Sequence, residues 1–73
     1  MAQLKPTAVV ALLKDVPAKN LSRGMVGTVV ETLAPDVFEV EFSDNNGRCY
    51  AMAALRREAL LELRYGPAGH AGA

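Results

Sequence analysis

One cysteine and one histidine are too few for most of the chemistry that small domains lean on. Cys49 alone rules out an internal disulfide and points to a reducing compartment. His70 alone leaves a structural zinc site almost without ligands. Net charge is missing as well: eight basic and eight acidic side chains cancel. Nucleic-acid binders carry a basic excess because neutralised phosphates supply most of their affinity. Here the basic residues are scattered, with Arg56-Arg57 the one close pair, so nucleic acid is not the expected partner. Long apolar runs are absent too. The run from Ala8 to Leu13 falls far short of the ~20 residues that span a bilayer. It is also shorter than a signal-peptide core, and no small-residue cleavage site follows it. These absences predict a cytoplasmic protein with no membrane partner, no metal and no cofactor.

What is present is a half-apolar chain of 73 residues, the length of one domain. A domain this small buries only about 60% of the surface its unfolded form exposes. Its core rarely supplies more than ~3–5 kcal/mol without a staple. With disulfide and metal excluded, self-association or a protein partner is the expected supplement.

Three blocks divide the chain: a lead-in over 1–6, a folded body over 7–65, and a Gly/Ala-rich tail over 66–73 whose small residues cannot offset their ordering entropy. The body begins with Thr7 to Leu13, whose continuous apolarity predicts a strand buried on both faces or placed at an interface. Lys14 to Gly24 reads as a polar loop, with Leu21 folding back over the open end of the core.

The most telling stretch is Leu21-Ser-Arg-Gly-Met-Val-Gly-Thr-Val-Val-Glu31. Two glycines three residues apart open into a β-branched run, as at the corner of a bent antiparallel sheet. Glycine provides either a positive φ or a close backbone approach there. A second strand follows over Met25 to Leu33 and turns at Ala34-Pro35-Asp36.

Val37-Phe-Glu-Val-Glu-Phe42 alternates cleanly, with Phe38, Val40 and Phe42 inward and Glu39 and Glu41 toward solvent. A one-residue slip would bury both glutamates, which pins the register. Asn46-Gly47 marks a hairpin whose left-handed positions both residues are expected to fill. The returning strand starts at Arg48, with Tyr50 and Met52 on one face and Cys49 and Ala51 on the other.

From Ala51 to Leu63 two readings compete. One is a strand to about Ala53, a helical turn near Leu55 to Ala59, and a last strand over Leu60 to Leu63. The other is a single helix over Ala53 to Leu63, because Ala, Leu, Arg and Glu are strong helix formers. The first gives the expected fold class: mainly β, a small five-stranded SH3-like antiparallel barrel with one short helical turn before the last strand.

No constellation in the chain spells out catalysis. Gly24 and Gly27 fit neither the dinucleotide nor the P-loop pattern, and a strand rather than a helix follows them. Glu31, Glu39 and Glu41 offer paired carboxylates in principle, but Glu39 and Glu41 alternate on an outward strand face and read as solvated charges that protect an edge. Cys49 lacks a nearby base and reads as a small, buried or half-buried apolar residue. The residues expected to touch a protein partner are Arg23 in the Lys14–Arg23 loop, Arg56 and Arg57, and Tyr65. Tyrosine is favoured at interfaces for its apolar body and polar tip. Tyr50 is expected in the core.

Taken in order, Ala8 to Pro17, Leu21 to Glu31, Phe38 to Phe42 and Asn46-Gly-Arg48 through Leu55 resemble a family of small bacterial proteins catalogued as domain of unknown function 4926. The resemblance covers about residues 4 to 65. The Gly-Met-Val-Gly-Thr-Val piece is also similar to the turn and strand of KOW-type domains. What the family implies is an SH3-like barrel with no established activity and no catalytic residues to carry over. By length and expected architecture the chain is also similar to the type II dihydrofolate reductases, which build one site at the centre of a tetramer. Their Val-Gln-Ile-Tyr motif is absent here, where Arg48-Cys-Tyr-Ala-Met52 stands.

The expected function is therefore a non-enzymatic interaction module that binds itself or another protein, with no nucleic acid among its partners. A ligand or enzymatic site shared between subunits is the alternative, and KOW-like nucleic-acid binding a distant third.

Overall fold

The computed structural model describes residues 4–64. Five strands form one antiparallel sheet: β1 (Val9–Leu12), β2 (Val26–Ala34), β3 (Val37–Ser43), β4 (Cys49–Arg56) and β5 (Leu60–Glu62). Two 3-10 turns, Pro17–Lys19 and Arg57–Ala59, are the only helical elements among the described residues. The mainly β class and the single turn before the last strand match the sequence reading. Tyr65, His70 and the tail lie outside the described residues.

The sheet order is β4-β3-β2-β1-β5, so the last strand returns to pair with the first. Laid flat, four inter-strand spacings would separate β4 from β5 by about 19 Å. The chain crosses from Arg56 to Leu60 in steps that reach about 14 Å at most. The sheet must therefore curl, and the core shows that it does. Leu55 of β4 and Leu60 of β5 join Val10, Leu12, Val29, Phe38, Val40 and Phe42 in one buried cluster.

The alternation read from β3 holds on its inner side, where Phe38, Val40 and Phe42 are buried. The outer glutamates are half-buried rather than free in solvent, because Glu39 and Glu41 lie between β2 and β4 neighbours on the sheet surface. The first strand differs too. It runs only from Val9 to Leu12 and alternates half-buried with buried, so it has one core face, not two.

The two glycines of the corner play separate parts. Gly24 takes φ +93°, which an L-residue adopts only with strain. Gly27 has no such φ. A Cβ there would lie 2.7 Å from Val40 Cγ1 and 2.9 Å from both the Glu41 carbonyl and Phe42 Cδ2, so β2 and β3 approach closely at this point. In the hairpin only Gly47 has a positive φ, +80°; Asn46 does not, and its backbone N–H donates to the Asp44 carboxylate instead. An aspartate turn thus replaces the expected Asn-Gly pair of left-handed residues.

Leu4 and Thr7 depart from the reading of a bare lead-in followed by a strand that starts at Thr7. Leu4, in the expected patternless lead-in, is buried in the core. Thr7 turns the chain there at φ 73°, unusual for a β-branched residue, and its N–H donates to the Val29 carbonyl at 2.7 Å.

β4 continues to Arg56, three residues past the expected end, because Ala53, Ala54, Leu55 and Arg56 pair with Val40, Glu39, Phe38 and Val37. Pairing and burial on the sheet override a strong helical propensity in this run.

A groove between the first loop and the end of strand four

The Lys14–Gly24 loop is a built structure. Val16 and Leu21 form an isolated antiparallel bridge, their N–H and C=O groups exchanged at 2.8 and 3.1 Å. The Pro17–Lys19 turn fills the bridge and closes on Asn20, whose φ of 59° gives a left-handed cap. Leu21 sinks into the core, as its apolar side chain in a polar loop predicts. Arg23 N–H donates to the Asp15 carboxylate at 2.8 Å, and Gly24 N–H to the Leu12 carbonyl at 2.8 Å.

This loop faces the end of β4 and the Arg57–Ala59 turn across a groove of about 400 Å³. Its apolar surface comes from Val16, Pro17 and Ala18 on the loop side and from Ala54, Leu55 and Ala59 on the other. Lys14 and Asp15 stand on one bank, Arg56 and Glu58 on the other. No ion pair joins these four side chains among the described residues. The rim is mixed in sign and neutral in sum, and the floor is apolar.

The near bank is fixed by Arg57. Its backbone N–H donates to the Asp36 carbonyl at 2.8 Å, and its guanidinium Nη1 donates to the Leu60 carbonyl at 2.8 Å. The Nε of the same side chain is buried without a hydrogen-bond partner among the described residues. Arg57 is therefore half-buried and spans the turn it begins. Its neighbour Arg56 is exposed and reaches the groove. The two arginines of one dipeptide thus do different work. Of the other expected contact residues, Arg23 is exposed at the base of the loop and outside the groove lining, and Tyr65 lies outside the described residues.

Tyr50 and Cys49 depart from their expected places. The β3–β4 register pairs Phe42 with Ala51 but Ser43 with Cys49, so Tyr50 is the extra residue of a bulge. Ala53 and Leu55 form the buried face of β4, so the face expected to carry Tyr50 and Met52 inward is the outer one, and the bulge then interrupts the alternation ahead of Cys49. Tyr50 is half exposed, not core, with its hydroxyl 4.0 Å from Met25 Sδ. Cys49 is exposed, not buried, and its Sγ lies 3.5 Å from the Ala51 carbonyl. Exposed as it is, partial desolvation of the thiol, followed by the hydrogen-bonding carboxylate of Glu41, raises its pKa above the ordinary value. A raised pKa means less thiolate at neutral pH and a weaker nucleophile.

Among the described residues no group of three or more His, Cys, Asp or Glu is placed to hold a metal ion, and no helix is long and apolar enough to cross a membrane. The sequence reading had singled out the loop and Arg56 but not the small residues that form the floor. Ala18, Ala54 and Ala59 carry no chemical signature, and only the curl of the sheet brings them together.

The model of the family described as Domain of unknown function (DUF4926) matches residues 7–62, and the chain belongs to that family. No curated protein and no solved structure gives a significant match.

Proposed function

We propose that this family member is a small non-enzymatic protein-interaction module that holds an apolar segment of a partner protein in the groove between the Lys14–Gly24 loop and the β4–β5 turn. The groove carries the reading: an apolar floor of about 400 Å³ framed by four charges without ion-pair partners among the described residues. It lies in the size range of ligand sites. Its floor has no titratable side chain to act on a substrate, while its rim can orient a polar backbone. The curled sheet itself we read as an SH3-like barrel. The order β4-β3-β2-β1-β5 and the 3-10 turn before the last strand support that name.

A photo-cross-linking residue at Ala18 in the cells of origin tests the proposal. The expected result is a discrete adduct on one segment of another protein. A synthetic peptide of that segment should then bind the purified chain, and Ala18→Trp, which fills the groove, should abolish binding. No adduct at Ala18, or a peptide that binds the Ala18→Trp variant unchanged, refutes it. Sedimentation of the purified chain checks the companion expectation of self-association; a monomer at all micromolar concentrations excludes that form of it.

A further inference from the structure

Resting on that reading, we infer that the partner segment enters as an extended strand, adding to the free edge of β4 as a sixth strand with an acidic residue near each of its ends.

β4 is at one end of the sheet order, with no strand on its outer side among the described residues. Backbone groups of a strand alternate sides with a period of two. Arg57 N–H bonds the Asp36 carbonyl on the β3 side, which places Leu55 and Ala53 in hydrogen-bonded pairs with Phe38 and Val40. The N–H and C=O groups of Met52, Ala54 and Arg56 therefore point to the open edge. Ala54 and Arg56 also line the groove, so the edge and the groove are one continuous surface. A segment seated between β4 and the Val16–Ala18 bank would satisfy those backbone groups while placing alternate side chains on the apolar floor.

Edge strands are normally blunted by charge or proline. From Cys49 to Leu55 this one has neither. Its charges stand at the two ends, Arg48 and Arg56, both exposed and without an ion pair among the described residues. With one residue taken up by the bulge, they bracket six ladder positions. A strand of this length with an acid at each end is complementary. A second copy of β4 is not: centred on Met52, antiparallel pairing would bring Arg48 within one position of Arg56 of the other copy at both ends. Near the groove Asp15 and Glu58 outnumber Lys14 and offset the charge of Arg56. The acid opposite Arg48 should therefore matter more.

The test is a titration of the full chain with a blocked octapeptide, Glu-Val-Thr-Val-Thr-Val-Thr-Glu, followed by amide NMR. The expected outcome is that Met52, Ala54 and Arg56 amides shift most and exchange at least about tenfold more slowly at saturation. Ala54→Pro should bind about tenfold or more weakly while keeping its melting temperature, because a proline whose missing N–H faced solvent is tolerated on an edge. If that variant fails to fold, N-methylation of the central residues of the peptide takes its place and should give the same loss. A peptide ending in lysines should bind several-fold more weakly. The inference is overturned if no amide shifts at about 5 mM peptide, an affinity too weak to matter. It is equally overturned if the shifts lie on other strands or if Ala54→Pro binds as well. Slowed exchange at the same amides on raising protein concentration alone would assign the edge to a second copy and also overturn it. A natural segment blocked by Ala18→Trp but indifferent to Ala54→Pro would refute strand addition and leave the groove reading standing.

Discussion

Replacing Gly27 by alanine isolates a steric effect from a conformational one. Its φ is not in the positive range, so an L-residue is allowed there. On conformational grounds alone the change would stabilise by ~0.4–1 kcal/mol, through lost entropy of the unfolded chain. The new Cβ, however, would meet Val40 Cγ1 at 2.7 Å, the Glu41 carbonyl at 2.9 Å and Phe42 Cδ2 at 2.9 Å. Val40 and Phe42 are completely buried, so neither side chain has room to retreat, and the carbonyl belongs to the β2–β3 ladder. Overpacking of this kind costs ~1–3 kcal/mol. The net expectation is a loss of about 1–2 kcal/mol, a large share of the ~3–5 kcal/mol available to a domain of this size. Urea unfolding should show a lower midpoint with an unchanged slope. Val40→Ala removes the nearest atom, so the double mutant should recover ~0.5 kcal/mol or more relative to additivity. Gly24→Ala is the contrast: nothing lies within 4 Å, and its cost of ~1–2 kcal/mol comes from φ alone. Asparagine should partly rescue position 24 and worsen position 27. A Gly27→Ala protein as stable as the parent would refute the close-approach argument.

Leu4→Ala should cost ~2–5 kcal/mol, enough to unfold much of the population, and a thermal melt with a broken or strongly lowered transition would show it. Arg57→Ala should lose ~1.5–3 kcal/mol with the bond to the Leu60 carbonyl, whereas Arg56→Ala should stay within about 0.5 kcal/mol in the same denaturation assay. Cys49, its pKa raised by desolvation and by Glu41, should be alkylated more slowly at mildly alkaline pH than an unstructured cysteine. Glu41→Gln removes the negative charge, lowers the thiol pKa and speeds the reaction; equal rates before and after would exclude the contact.

Strands two and three were legible because their signals are local. A glycine corner, a β-branched run and a Phe-Glu-Val-Glu-Phe alternation each encode their own geometry. The chain beyond Ala53 was harder, since helix formers fill it and only pairing with β3 decides the outcome. Tyr50 and Cys49 were misplaced for two reasons: apolar residues on both faces of Tyr50-Ala-Met-Ala-Ala-Leu55 hide which face turns inward, and a bulge with no residue signature in Arg48-Cys-Tyr-Ala interrupts the alternation ahead of Cys49. Leu4 was missed because a lone apolar residue before Pro6 has no period to reveal it. At the candidate site, Arg56 and the loop could be named from sequence as polar, turn-rich surface. The floor could not, because alanines become a groove only when two segments about forty residues apart are brought face to face.

Both banks of that groove are fixed before any partner arrives. The loop is held by the Val16–Leu21 bridge, the burial of Leu21 and the bond from Arg23 to Asp15. The turn opposite is held by Arg57 and by Leu13 N–H donating to the Ala59 carbonyl at 2.9 Å. A preformed site has little of its own to order on binding, which leaves more of the contact energy as affinity. The exchange also runs the other way. A partner present at a hundred times its dissociation constant adds about 2.7 kcal/mol to the folded state. That nearly equals the lower end of what so small a core supplies by itself. On the proposed reading the partner in the groove takes the part that a disulfide or metal plays in other small domains, and the stability of the chain should rise measurably with the concentration of that partner.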